Sequence, residues 1–123
     1  MESLLIPATE LTPAVNFDGA SGKLFIEGKS LPEDSRSFYQ PILDWVQQYS
    51  EGKTEVKINL FLSYFNSSSA KQLIKLLYLF EDLSEKGVTT GVNWIHKKSD
   101  TMMQERGEEL AMLVSVPFTY EVR

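Results

Sequence analysis

The length, composition and charge of the chain exclude several classes of protein. Its 123 residues contain 42% hydrophobic and 24% charged side chains, which is the composition of a folded globular protein. A chain of this length is typical of one domain, so we expect a single domain over residues 1–123. The net charge is −5 and no basic stripe is present, which argues against binding to nucleic acid or to an anionic membrane surface.

The sequence also lacks the residues on which most metal and cofactor sites depend. It has no cysteine and only one histidine, His96, so neither a thiolate zinc site nor a site with two histidines is available. No glycine-rich phosphate loop is present. We therefore expect no metal, no cofactor and no catalytic residues. The chain has neither a signal-peptide pattern nor the ~20 apolar residues that cross a membrane, so it is expected to be cytoplasmic.

The first half of the chain predicts a β-hairpin and an amphipathic helix. Two short extended runs, at 15–18 and 24–28, are separated by the turn sequence GASG, which favours an antiparallel pair. A loop that ends at Ser35 then precedes a helix whose apolar residues recur at helical spacing. Pro41 lies inside this helix and predicts a kink or a restart there.

The second half of the chain predicts three strands that alternate with two helices. The strongest strand shows a period of two, in which hydrophobic residues alternate with mostly polar ones. The predicted elements are a strand at 55–65, a helix that follows residues 66–69 and runs to about Lys86, a strand at 90–96, a helix capped at 99–100 and an edge strand at 117–122.

The order of these elements predicts an α/β fold. The predicted order is β-β-α-β-α-β-α-β. Strands that alternate with helices form a mostly parallel sheet, and the opening hairpin adds an antiparallel pair. We therefore predict an open mixed sheet with helices packed on its faces. Function is expected in the loops that follow the C-terminal ends of the strands.

The junction between the strongest strand and the second helix is the segment most suggestive of function. It reads Asn66-Ser67-Ser68-Ser69-Ala70-Lys71. A helix N-terminus presents unpaired N–H groups and the positive end of the helix dipole, so it tolerates an added phosphate of charge about −2. Lys71, one turn beyond Ser67, is placed to pair with that charge. The simpler interpretation is capping alone, because Ser69 and Gln72 fit a capping box.

Two interpretations from other functional classes stay open. A small serine hydrolase would use Ser67 as nucleophile and would need His96 as its general base. A constitutive module that binds a protein or a ligand would need no modification at all. The position of His96 relative to the Ser67 hydroxyl tests the first alternative, and the intact mass of the native protein tests the second.

Four short motifs occur along the chain, and their order and spacing together are quite specific. They are GKSLPEDS at 28–35, YFNSSS at 64–69, the series Trp94, Asp100, Met103, Glu105 and Gly107, and Pro117-Phe118. In this order they resemble the motifs G-x-S-x-P-E-N-S, Y-x-N-T-S-S, W…D…M-x-E-x-G and P-F of the SiaC family of regulatory phosphoproteins. That family has a fold like that of STAS-domain anti-sigma-factor antagonists.

The resemblance implies a STAS-like fold and a phosphoacceptor immediately after Asn66. In this chain that residue is Ser67, where the family commonly has threonine. Asn66, Ser68, Ser69 and Lys71 would form the phosphosite turn and the partner surface, with Ser68 and Ser69 also capping the helix and Asn66 shaping the turn.

The resemblance also implies a set of partners and a role. The partners are a serine/threonine protein kinase, a metal-dependent serine/threonine phosphatase and, in one branch of the family, a diguanylate cyclase. The unphosphorylated protein would bind and activate its target, and phosphorylation of Ser67 would release it. On this hypothesis the chain is a non-enzymatic adaptor in bacterial signalling, in that branch signalling by cyclic di-GMP.

Overall fold

The computed structural model describes residues 1–123 and contains one six-stranded sheet and three helices. The strands are β1 Leu4–Ile6, β2 Ala14–Phe17, β3 Leu24–Ser30, β4 Glu55–Phe65, β5 Thr89–His96 and β6 Phe118–Val122. The helices are α1 Ser35–Tyr49, α2 Ser67–Glu85 and α3 Thr101–Ala111. The predicted α/β fold with an open mixed sheet is confirmed, and β1 is an additional strand of three residues that the sequence analysis did not predict.

The strands lie in the sheet in the same order as in the chain. β1, β2 and β3 pair in antiparallel fashion, whereas β3, β4, β5 and β6 are parallel. Each parallel connection contains one helix and moves one strand further in the same direction. Parallel crossovers that share one hand and advance in one direction place every helix on the same face of the sheet.

A single hydrophobic core lies between that face and the helices. The buried residues of β4 alternate along the strand as Val56, Ile58, Leu60 and Leu62, and they join one core cluster with residues of all three helices. The residues between them are exposed or half-buried. The helices pack on the sheet as predicted, and all three lie on one face because a sheet whose strands follow chain order has all its crossovers on one side.

Each helix begins at a side-chain cap. The capping residues are Asp34, Asn66 and Asp100, and each carboxylate or amide oxygen accepts the N–H three residues further on. α1 continues through Pro41, so the restart expected there does not occur. The proline and Ser37, four residues before it, are both exposed, so the hydrogen bond that proline omits is lost on the solvent side. None of the three helices is both long and apolar enough to cross a bilayer.

A β-bulge near the end of β4 changes which residues face the core. The register between β3 and β4 shifts just after Gly28, where Ser63 of β4 is left without a partner. Gly28 has a φ of 124°, a conformation that favours glycine. Beyond the bulge Phe65 is buried and Tyr64 is only half-buried. The uninterrupted alternation predicted through residue 65 is wrong for these last two residues.

α3 packs closely against β5 and against Phe65 at the end of β4. Trp94 is fully buried, and its Nε1 donates a hydrogen bond of 2.8 Å to the carbonyl oxygen of Met103. Phe65 meets the indole edge-on, with ring centroids 6.2 Å apart. Gly107 of α3 lies directly over this indole, and a Cβ at that position would stand 2.4 Å from two ring atoms.

We expect Gly107→Ala to destabilise the protein by about 1–3 kcal/mol, because the added methyl group overpacks the Trp94 ring. Alanine is the better helix former by about 1 kcal/mol, so propensity alone predicts the opposite sign. The hydrogen bond of the indole and its burial keep the ring from moving away. Urea unfolding followed by circular dichroism measures the difference. Gln104→Ala, an exposed change on the same helix, is the control, and an unchanged or raised midpoint for Gly107→Ala would contradict this packing.

Candidate functional site

The predicted phosphosite lies at the C-terminal ends of the parallel strands, where β4 ends and α2 begins. β4 ends at Phe65, Asn66 is the cap of α2, and Ser67 is the first residue of the helix. The side chains of Ser67 and Ser68 are exposed. The change of period across this junction therefore predicted correctly a strand that leads directly into a helix.

Asn66 rather than a serine caps the helix. Its Oδ1 accepts the N–H of Ser69 at 2.9 Å and the hydroxyl of Ser68 at 3.1 Å. The N–H of Asn66 donates to the carbonyl oxygen of Ser30, at the end of β3, at 3.1 Å. Capping by Ser68 and Ser69 was therefore a wrong prediction. An N-cap needs extended backbone ahead of the first turn, and Asn66 has it with φ −84° and ψ 175°.

Ser69 is an interior residue, with 0% of its surface exposed. Its hydroxyl donates to the carbonyl oxygen of Ser30 at 3.0 Å and lies 2.8 Å from the Ser30 hydroxyl. The Ser30 hydroxyl in turn lies 2.7 Å from the hydroxyl of Tyr39 on α1. Ser69 was expected on the partner surface, but in this structure the core covers it.

The three buried hydroxyls form a chain in which every proton has an acceptor. Because Ser69 donates to the Ser30 carbonyl, Ser30 donates to the Ser69 oxygen and Tyr39 donates to the Ser30 oxygen. This hydroxyl chain joins β3, α1 and the first turn of α2. Neither Ser30 nor Tyr39 was predicted as a site residue, although Ser30 lies in the 28–35 motif.

The two cations near the junction differ in how they are held. Lys71 is exposed and takes part in no salt bridge, so its pairing with a phosphate stays a prediction. Arg106 of α3, which the sequence analysis missed, donates from Nη1 to the carbonyl oxygen of Phe65 at 3.3 Å. Its guanidinium carbon lies 4.8 Å from the centre of the Phe65 ring and 5.7 Å from that of Tyr64. No local pattern places Arg106 there, because α3 lies about forty residues further along the chain.

His96 does not contact Ser67. It is buried on β5, and its Nδ1–H donates to the carbonyl oxygen of Lys97 at 3.0 Å. A serine nucleophile needs a base within hydrogen-bond reach, and Ser67 has none in this structure. The serine-hydrolase interpretation therefore gains no support from the geometry. The structure also contains no group of three or more histidine, aspartate or glutamate residues arranged to hold a metal ion.

Comparison with known proteins now identifies the family. The model of the family described as "SiaC family regulatory phosphoprotein" matches residues 6–122. The chain belongs to the SiaC family. It is also 31% identical to an uncharacterised protein of Pseudomonas aeruginosa strain UCBPP-PA14, over 98% of this chain and 97% of that one.

Solved structures of the family share the whole fold. The crystal structure of apo-SiaC from Pseudomonas aeruginosa is 30% identical, covers 98% of this chain and 99% of its own, and superposes with a TM-score of 0.92. A second crystal structure shows the diguanylate cyclase SiaD in complex with its activator SiaC from Pseudomonas aeruginosa. Its comparison with this chain gives the same TM-score, identity and coverage. The resemblance inferred from the motifs is therefore confirmed at the level of family and fold.

Burial raises the pKa of the Tyr39 hydroxyl from 10.0 to about 12, and the hydrogen bonds with Ser30 and Ser69 offset part of this rise. In the unfolded chain Tyr39 ionises near pH 10. Between pH 10 and 12 the unfolded state therefore loses a proton that the folded state keeps, and stability falls as the pH rises. Below pH 10 this loss is absent.

We expect the unfolding free energy of the wild type to fall by about 1.4 kcal/mol more than that of Tyr39→Phe between pH 9 and pH 11. Every other ionisable group is common to the two proteins and cancels in the comparison. Urea unfolding at the two pH values measures the difference. Equal slopes for the two proteins would show that Tyr39 ionises as readily in the fold as in water.

We expect Asn66→Ala to destabilise the protein by about 1 kcal/mol, because the N–H of Ser69 loses its capping oxygen. Ser68→Ala is the matched control, since the Ser68 hydroxyl is exposed and only donates to that same oxygen. Thermal or urea unfolding of the two variants measures the effect. If Ser68→Ala were the more damaging change, the cap would be a serine after all.

Proposed function

We propose that the protein is a non-enzymatic, phosphorylation-controlled adaptor in bacterial signalling. Its unphosphorylated form binds and activates a partner, and phosphorylation of Ser67 releases that partner. Membership of a family of regulatory phosphoproteins supports this proposal, as does the activator role of SiaC in its complex with a diguanylate cyclase. The observation that carries it is the exposed Ser67 at the first position of α2.

The three consecutive serines are not equivalent acceptors. The Ser69 hydroxyl is buried and bonded on both sides, so a kinase reaches it only if the core opens. The Ser68 hydroxyl is exposed but donates to Asn66. Ser67 is exposed, and its hydroxyl has no hydrogen bond within the chain. Transfer of a phosphoryl group to Ser67 therefore breaks no internal contact.

A phosphate on Ser67 is compatible with the fold and unfavourable for the partner. At the start of α2 the helix dipole stabilises a negative charge by roughly 0.3–1 kcal/mol. The same group adds a charge of about −2 to a surface that a partner must desolvate. A charge to which the partner surface offers no counter-charge costs several kcal/mol to desolvate at an interface. The modification therefore changes recognition far more than stability.

Two of the proposed partners act on the Ser67 hydroxyl, and a third is the target that the switch controls. A serine/threonine kinase adds the phosphate and a metal-dependent serine/threonine phosphatase removes it, while a diguanylate cyclase is the proposed target by analogy with the solved SiaC complex. Asn66, Ser68 and Lys71 flank Ser67 on the proposed partner surface, and Ser69 supports that surface from below. The cytoplasmic location expected from the sequence stays a prediction.

We expect Ser67→Ala to fold normally, to abolish labelling by the cognate kinase and to leave binding of the target intact. Ser67→Asp should melt at a similar temperature but bind the target more weakly, because its carboxylate imitates part of the phosphate charge. Calorimetric titration with the target and thermal unfolding measure the two properties separately. Ser68→Ala is the control for labelling, and the kinase should label it like the wild type.

Three outcomes would contradict the proposal. Continued labelling of Ser67→Ala by the kinase would place the acceptor elsewhere. Undiminished target binding by Ser67→Asp and by the phosphorylated protein would show that charge at this helix start is not the switch. If the intact mass of the protein from its native cells does not change on phosphatase treatment under any growth condition, the constitutive binding module becomes the better interpretation.

A further inference from the structure

Arg106 is a half-buried cation without an anionic partner. The salt bridges of the chain join Lys57 to Glu55 and Arg123 to Glu121, so no carboxylate lies within 4.0 Å of the Arg106 guanidinium. This is notable in a chain with 17 acidic and 12 basic side chains. A guanidinium has five N–H donors, and the structure uses one of them, in the hydrogen bond to Phe65. The remaining donors are free for an anion.

The position of this cation is set by the end of β4. The carbonyl that Arg106 binds belongs to Phe65, two residues before Ser67, and Cα atoms two residues apart lie at most about 7.6 Å from one another. The aromatic rings of Tyr64 and Phe65 hold the guanidinium there through cation–π contacts. The bulge in β4 contributes to this arrangement, since it turns Phe65 toward the core and toward α3.

We infer that Arg106 is the cation that binds the phosphate group of phosphorylated Ser67. This inference rests on the proposed function for the identity of the modified residue. Guanidinium and phosphate form charge-assisted, bidentate hydrogen bonds, which are among the strongest in proteins. The phosphorylated side chain is thereby held against the surface formed by β4, α2 and α3, and the modified state of the protein has a defined structure.

Arg106 is better suited to this role than Lys71, the cation that the local sequence suggests. Lys71 is exposed, and no salt bridge or hydrogen bond restrains its flexible side chain. Ordering a free lysine side chain costs conformational entropy, whereas the guanidinium of Arg106 is already positioned. Arg106 therefore provides most of the electrostatic stabilisation of the phosphate, and Lys71 provides the smaller part.

The test uses full-length protein with phosphoserine incorporated at position 67 during translation, so that no kinase is required. A phosphorus NMR titration then measures the second pKa of the phosphate, which a neighbouring cation lowers. We expect this pKa to rise by about one pH unit in Arg106→Gln relative to the wild-type background. Lys71→Gln is the matched control and should raise it by less than half as much. Arg106→Lys should give an intermediate value, because it keeps the charge but loses the bidentate geometry.

A second measurement needs no variant and covers the case in which Arg106→Gln fails to fold. The Nε–H resonance of Arg106 is compared between wild-type protein with serine and with phosphoserine at position 67. A large shift is expected on phosphorylation. An unchanged resonance, an unchanged phosphate pKa in a folded Arg106→Gln variant, or a larger effect from Lys71→Gln would overturn the inference.

Failure of this inference is distinguishable from failure of the proposed function. Because the phosphoserine is built in, the titration gives an answer whether or not a kinase modifies Ser67 in cells. If Arg106 proves irrelevant, labelling of Ser67 and release of the target are unaffected. If the kinase modifies another residue, the interaction between Arg106 and a phosphate at position 67 is still measurable.

Discussion

Three hydroxyl groups buried between β3, α1 and α2 hold the start of α2 in place. Ser69 is the only residue of α2 in this hydroxyl chain. Its hydroxyl is hydrogen-bonded to that of Ser30, which is hydrogen-bonded to that of Tyr39. A buried hydroxyl without a partner costs about 1–3 kcal/mol, so an arrangement that satisfies all three is strongly preferred over a displaced helix. The position of α2 relative to the sheet, and with it the exposure of Ser67, depends on this contact.

The same contact gives the residues of the serine-rich turn different structural roles. Ser69 is buried and Asn66 caps the helix, whereas Ser67 is exposed and its hydroxyl forms no hydrogen bond within the chain. A residue with no internal hydrogen bond is the one that can gain or lose a charged group without a cost to the fold. A turn capped by Ser67 itself would couple its modification to the stability of α2, because phosphorylation would alter the cap.

The order of the strands places the other parts of the site around this turn. The four strands from β3 to β6 are parallel and adjacent in chain order. The loops after β3 and β4 therefore meet α3 at the C-terminal ends of these strands. Phe65 packs against Trp94 and lies beneath the Arg106 guanidinium, so the core reaches the surface beside Ser67. A cation from the last helix is thereby brought to a turn between the second parallel strand and its helix.

The sequence by itself determined the local features of this protein. The alternation of β4, the apolar spacing of α2 and the Asn-Ser-Ser-Ser junction between them are patterns within a few residues, and the structure reproduces them apart from the last two residues of β4. The tertiary structure decided the features that depend on residues far apart. Burial of Ser69 requires Ser30, 39 residues away, and the place of Arg106 requires Phe65, 41 residues away. Periodicity indicates which side of a helix or strand is apolar, but it does not indicate which residues from distant parts of the chain will contact that side.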